Sequence, residues 1–183
     1  VEGYKNRGIT LQGGLVMYGE NLTIDGSYSG ATTEEQGLRM WGGAVALIRE
    51  NLTITNNQKF GLTIKLSDIE TVGNVILTGN GSAIDVGNGA VFSSGANINI
   101  SGSTDRAISV SQQGLFKQWD GTISITNTSG NIFNAWMSNI RINNLTAIGD
   151  GSTEKGLVEI NESFSFFENL NITKIYNLFN FIL

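Results

Sequence analysis

The string Asn-Leu-Thr-Ile stands at Asn21–Ile24 and again at Asn51–Ile54. Looser copies begin at Asn74, Asn97, Thr122, Asn144 and Asn169, so the starts lie 30, 23, 23, 25, 22 and 25 residues apart. A second string runs out of phase with the first, with copies beginning at Gly8, Gly37, Gly61, Ala83, Ala107, Ile132, Leu157 and Leu178. A nearly fixed period constrains a chain more than any single motif, because each unit must bury its apolar side against its neighbours.

Both strings alternate. In the second, the pairs Ile9/Leu11, Leu38/Met40, Leu62/Ile64, Ile84/Val86, Ile108/Val110, Phe133/Ala135, Val158/Ile160 and Phe179/Phe181 point one way. Between them lie Thr10, Arg39, Thr63, Asp85, Ser109, Asn134, Glu159 and Asn180, which read as a solvated row. In the first string Leu22/Ile24 through Leu170/Ile172 face inward. Period-2 alternation rich in β-branched residues means half-buried strands. A repeat of about 24 residues is too short for a propeller blade of roughly 40–45 residues. It suits one coil of a parallel β-helix with three short strands. The third strand falls at Leu15–Tyr18, Ala44–Ile48, Ala90–Ser93, Leu115–Gln118, Ile140–Ile142 and Phe164–Phe167. Seven to eight coils at ~4.8 Å each predict a rod roughly 35 Å long.

An Asn heads the first string at Asn21, Asn51, Asn74, Asn97, Asn144 and Asn169. Stacked coils bring these amides into a ladder, each side chain donating to one neighbour and accepting from the other. With its aliphatic stacks and asparagine ladder, the chain resembles the right-handed parallel β-helix families. The fold expected is all-β: a right-handed, single-stranded parallel β-helix (solenoid) of about 7–8 coils, about 24 residues per coil and three short strands per coil. The chain reads as a single domain, 1–183, cut from a longer solenoid, since Val1-Glu2-Gly3 opens without an initiator Met or signal peptide and the last strand begins a new coil.

Composition narrows the chemistry. The 183 residues include no Cys, no His and no Pro, against 24 Gly and 21 Asn. Without Cys there is no disulfide framework and no thiolate metal site. Without His there is no Ser-His-Asp triad, no common zinc site and no imidazole proton shuttle. A net charge of -5 with no basic cluster makes nucleic acid and anionic membrane poor partners. No apolar run nears the roughly 20 residues that span a bilayer. Neither a cofactor nor a metal is expected. Asn80-Gly81-Ser82-Ala83-Ile84-Asp85 is like one copy of a calcium-binding glycine-rich repeat, but calcium needs the motif in tandem, so it reads as a turn.

The candidate binding residues sit in two long, polar inter-coil turns. The first, Asp25–Gln36, carries Asp25, Tyr28, Glu34 and Glu35; the second, Ile148–Lys155, carries Asp150 and Glu154. Insertions in solenoids map to loops on one face, and such a loop is either a binding element or a tolerated surface insertion. Trp41 and Trp136 occupy equivalent turn positions four coils apart, and an exposed indole stacks on a sugar or anchors a partner. Asp25, Glu34, Glu35 and Asp120 are the carboxylates to consider for glycoside hydrolysis, which needs a pair about 5–5.5 Å or about 6.5–9.5 Å apart. Eight Asn-x-Ser/Thr sequons occur, but Asn21, Asn51 and Asn144 fall on the ladder, where a glycan breaks the stack.

Taken with its Gly/Asn/Ser/Thr-rich, acidic, Cys-free composition, the chain resembles the passenger of a bacterial type V autotransporter adhesin. That resemblance implies a non-enzymatic rod displayed at the cell surface and anchored to the outer membrane through a part outside this chain. The partner it implies is a host surface protein or glycan. Two other readings share the fold. One is a phage tailspike or polysaccharide depolymerase, and the other is a spacer that binds nothing.

Overall fold

The computed structural model describes residues 1–4, 6–26, 35–149, 158–173 and 179–182. In chain order the strands are β1 (Arg7–Gln12) and β2 (Val16–Asp25), then β3 (Gln36–Trp41) and β4 (Val45–Thr55). Three sets of three follow: β5 (Phe60–Lys65), β6 (Asp68–Thr71) and β7 (Val75–Thr78); β8 (Ser82–Gly87), β9 (Val91–Ser94) and β10 (Ile98–Ser101); β11 (Arg106–Ser111), β12 (Leu115–Gln118) and β13 (Ile123–Thr128). The last are β14 (Asn131–Trp136) and β15 (Asn139–Gly149), β16 (Val158–Asn161) and β17 (Phe164–Thr173), and β18 (Phe179–Ile182). In β2, β4, β15 and β17 two of the three short strands run together without a break. Sequence reading did not identify β6, because Asp68-Ile69-Glu70-Thr71 offers only one aliphatic residue.

One sheet has eight strands in the order β1-β3-β5-β8-β11-β14-β16-β18; the other has ten and wraps the remaining sides. All the strand pairings are parallel. The register joins like to like. Leu38 pairs with Leu62, Leu62 with Ile84, Ile84 with Ile108 and Ile108 with Phe133. From the other string Leu52 pairs with Val75, Val75 with Ile98 and Ile98 with Ile123. These residues are fully buried in one continuous core. Aromatic rings extend it: Phe92 stacks on Phe116 at 4.8 Å, and Phe133 meets Phe116 and Phe167 edge-on at 6.1 and 5.9 Å.

The chain is therefore a parallel β-solenoid. About five turns repeat at about 24 residues, and the starts of β3, β5, β8, β11, β14 and β16 lie 24, 22, 24, 25 and 27 residues apart. This is fewer than the seven to eight coils expected. A coil is closed only where its inward residues are covered from both sides. At β1 and β2 the inward Ile9, Leu11 and Leu22 are only partly buried, and in β17 Leu170 is 40% exposed.

The outward row on the eight-stranded sheet is not uniformly solvated. Thr63, Asp85 and Ser109 are buried, and Lys65 Nζ lies 2.8 Å from Asp85 Oδ2. Small side chains one strand spacing apart cover each other, and the Lys65 stem lies beside them.

Two columns of polar side chains hold the corners. The outer one contains the asparagines of the first string. Asn51 Nδ2 donates to Asn21 Oδ1 at 2.8 Å, Asn74 Nδ2 to Asn51 Oδ1 at 3.5 Å, and Asn169 Nδ2 to Asn144 Oδ1 at 2.8 Å. Where the repeat has Thr122 in place of Asn, the backbone supplies the amide. Thr122 N–H donates to Asn97 Oδ1 at 3.0 Å, and Asn144 Nδ2 donates to the Gly121 carbonyl at 3.1 Å. One peptide group thus does what an Asn side chain does elsewhere. Gly121 permits it: its φ is +78°, and an added Cβ would lie 2.6 Å from the Ala96 carbonyl carbon.

The inner column, Asn57, Asn80, Ser103 and Thr128, is buried. Asn80 Oδ1 accepts from Asn57 N at 3.1 Å and from Asn57 Nδ2 at 2.9 Å, while Asn80 Nδ2 donates to Ile54 O at 3.0 Å.

Burial ranks the two columns. Asn80→Leu strands buried donors and an acceptor and costs about 1–3 kcal/mol in urea denaturation, whereas Asn97→Leu, at an exposed position, costs about 0.5–1.5 kcal/mol. Equal losses would contradict this ranking. Ile108 is fully buried between Ile84 and Phe133. Ile108→Asp places an unpaired carboxylate there and prevents folding. A soluble variant with a cooperative circular-dichroism melt would refute the inward assignment.

Candidate functional site

Asp25 ends β2 and Glu35 immediately precedes β3, so the two residues flank the long first turn. Pairing of β2 with β4 sets Asp25 beside Thr55. Asp25 Oδ1 accepts from Thr55 Oγ1 at 3.1 Å and from Asn56 Nδ2 at 2.9 Å. Its backbone is tied in as well: Gly3 N donates to Asp25 O at 3.1 Å, and Asp25 N to Val1 O at 2.8 Å.

Glu35 is fully buried. Its Oε2 accepts from Gln58 N at 3.3 Å, and its carbonyl accepts from Lys59 N at 3.1 Å and Phe60 N at 3.3 Å. Its Oε1 has no hydrogen-bond partner. Burial pushes the Glu35 carboxyl up from its ordinary value; the Gln58 N–H opposes the shift and the nearby Asp25 carboxylate adds to it.

Tyr4 completes the cluster. Its hydroxyl donates to Asn57 Oδ1. Burial raises the Tyr4 phenol far above its usual range, and the charges of Glu35 and Asp25 raise it further. Asn57 in turn donates to Thr55 O at 2.8 Å and belongs to the inner column. Tyr4 and Asn57 were not singled out from the sequence. The available signal was weak: each stands three residues before a strand of the eight-stranded sheet.

The remaining candidates are dispersed. Tyr28, Glu34, Asp150 and Glu154 lie outside the described residues. Trp41 is 38% exposed at a turn on another edge, and the Arg39 guanidinium covers its ring at 5.0 Å. Asp120 is exposed, its Oδ1 accepting from Gly121 N at 2.7 Å in a local turn. Asp85 is paired with Lys65. Among the described residues no group of three or more acidic side chains could hold a metal ion, and no helix is long and apolar enough to cross a membrane.

A carboxyl whose pKa is raised near a second carboxylate is the electrostatic arrangement of a glycosidase acid and its partner. Here Glu35 is inside the structure, with one oxygen on a backbone N–H. The same environment makes it a structural acid that closes the turn into β3.

Compared with known protein families, curated proteins and solved structures, the chain matches none.

The raised Glu35 carboxyl has a pH signature. A carboxyl whose folded-state pKa exceeds the unfolded one binds its proton more tightly when folded. Its contribution to stability is full below the ordinary value of 4.5 and is lost as pH rises through 4.5 toward the raised value. Glu35→Gln removes the buried charge. Its urea midpoint therefore exceeds that of the parent at neutral pH, and the gap narrows as pH falls from the raised value toward 4.5. Parallel pH profiles for the two proteins would mean that burial does not penalise the Glu35 charge.

Proposed function

We propose that this chain is a segment of a bacterial surface adhesin, a right-handed parallel β-helix like those of type V autotransporter passengers. It acts by extension and recognition: a stiff rod carries loops outward, and the loops meet a host surface protein or glycan. The observation that carries this reading is the unbroken parallel stacking from β1 to β18 over one aliphatic core. A solenoid of that kind resists bending, because every coil is hydrogen-bonded to its neighbours along their strands. Its edges and turns are then the parts free to vary. Of these, the turn between Asp25 and Glu35 is the longest and the most acidic, and it is the proposed recognition loop. On this reading the protein works outside the cell, held at the outer membrane by another part of the polypeptide.

The test is retention on host cells. Replacing residues 27–34 by a short Gly-Ser link removes the loop while leaving Asp25 and Glu35 in place. Retention falls by about tenfold or more if the loop holds the contact residues. Equal retention of both proteins would overturn the loop as the recognition element. Failure of either to bind any host surface would favour a spacer.

A second reading is favoured by one observation, the protonation-prone Glu35 beside Asp25. A polysaccharide depolymerase would use that pair as acid and carboxylate partner. It predicts oligosaccharide fragments released from a bacterial polysaccharide panel, detected by mass, and loss of release in both Glu35→Gln and Asp25→Asn. Absence of fragments from the parent protein would dismiss it.

A further inference from the structure

One edge of the solenoid carries a stack of turns that follow the strands of the eight-stranded sheet. Their backbones are left-handed. Early in the chain glycines fill them: Gly13 and Gly14 have φ of +64° and +75°, Gly42 and Gly43 +69° and +89°. Further along, side chains occupy the same conformation: Leu66 at +50°, Asn88 at +55°, Gln112 at +49°, Gln113 at +64° and Met137 at +48°. A left-handed conformation costs a residue with a Cβ steric crowding against the following carbonyl oxygen. Glycine would avoid that cost and is used at the equivalent turns nearby. Strain maintained in successive turns points to a use for the side chains it displays.

These side chains line a groove of about 510 Å³, formed by Leu66, Asn88, Gln112, Gln113, Trp136 and Met137 together with Gly89, the one left-handed glycine among them at +73°. Leu66, Trp136 and Met137 are 59%, 44% and 42% exposed. Trp136 differs from the other tryptophans. Arg39 lies over the Trp41 ring at 5.0 Å and Lys117 over Trp119 at 5.8 Å. Among the described residues no cation or ring stands over Trp136. Along its row Ser111 and then Gly87 lie on one side, where little bulk rises beside the indole, and Asn161 lies on the other.

The lining holds no charged residue. Of the ions that adjoin it, Lys65 and Asp85 are paired at 2.8 Å, and Glu162, in the left-handed turn after Met137's in the stack, adds a negative charge. Nothing there matches a phosphate or a carboxylate. What the groove does present is a free indole face, apolar flanks, and the amides of Asn88, Gln112 and Gln113. An indole stacks on the C–H face of a pyranose ring, and amides donate to and accept from hydroxyl groups. Leu66, Asn88, Gln112 and Met137 stand on successive turns, so the groove is roughly 14 Å long at the strand spacing.

We propose that this edge binds an uncharged oligosaccharide, with Trp136 as the stacking platform and Gln112 and Gln113 as hydroxyl-recognising groups. The site is separate from the Asp25–Glu35 turn and does not depend on it. Deleting residues 27–34 therefore leaves this binding intact, so failure of the loop reading and failure of this one are distinguishable.

The experiment uses the whole chain carrying Trp41→Phe and Trp119→Phe, which leaves Trp136 as the only fluorophore among the 3 tryptophans. It is titrated with short neutral oligosaccharides (cello-, malto- and chito-oligomers) and with a sialylated oligosaccharide as the anionic control. A saturable shift in Trp136 emission with a neutral oligomer, and none with the anionic one, is the result expected. In the parent background, calorimetric affinity for that oligomer falls about tenfold or more in Trp136→Ala and about two- to tenfold in Gln113→Ala. Unchanged urea midpoints show that both variants fold. No saturable response to any neutral oligomer, a response only to the anionic one, or full affinity in Trp136→Ala would overturn the proposal. So would a protein partner captured through Trp136 in place of a glycan.

Discussion

Every coil of this protein must place its inward aliphatic side chains directly over those of the coil before it. A parallel strand pair slipped by one residue would turn the whole inward set to solvent. The register Leu38–Leu62–Ile84–Ile108 therefore constrains the rest of the structure. Insertions can enter only at turns, and only where the chain returns to the same register. The turn between Asp25 and Glu35 satisfies that condition, since β1 and β3 still pair Ile9 with Leu38. The absence of proline follows from the same constraint. Proline removes a donor from the ladder, and a paired parallel strand has no place for it.

Polar groups at the corners have to obey that spacing as well. On the outside they are asparagine amides, competing with water. On the inside they are Asn57 and Asn80, whose side chains bond backbone groups at the end of β4 and in the turn after it. The Gly121–Thr122 peptide shows that the requirement is for an amide at that height, not for an asparagine. Glu35 and Tyr4 extend the inner corner toward β1 and bring an ionisable pair into it. Burial is the largest cause of both shifted acidities; the Glu35 charge comes second for Tyr4, whereas for Glu35 the Gln58 N–H opposes burial and the Asp25 carboxylate adds to it.

The inward residues were legible in the sequence because alternation and period are properties of neighbours along the chain. The pairs read from it coincide with the strand register of the eight-stranded sheet. The outward chemistry was less legible. Asp25 and Glu35 could be nominated as loop carboxylates, but not Tyr4 and Asn57, which reach them only through packing of separate coils. Trp41 and Trp136 looked equivalent by position. The structure separates them, because Arg39 lies over the Trp41 ring while, among the described residues, no cation or ring stands over Trp136.

What the sequence by itself determined is the architecture: all-β, one repeating unit, and which residues face the core. The physical reason is that a solenoid contacts only its nearest repeats, so local periodicity carries nearly all of the packing information. What only the tertiary structure decided is which polar groups are buried, which aromatic faces are free, and that leucine, methionine and glutamine occupy left-handed turns along one edge. Those properties depend on side chains about 24 residues apart meeting at one strand spacing. Small differences in turn length change which of them meet, and those differences do not alter the repeat itself.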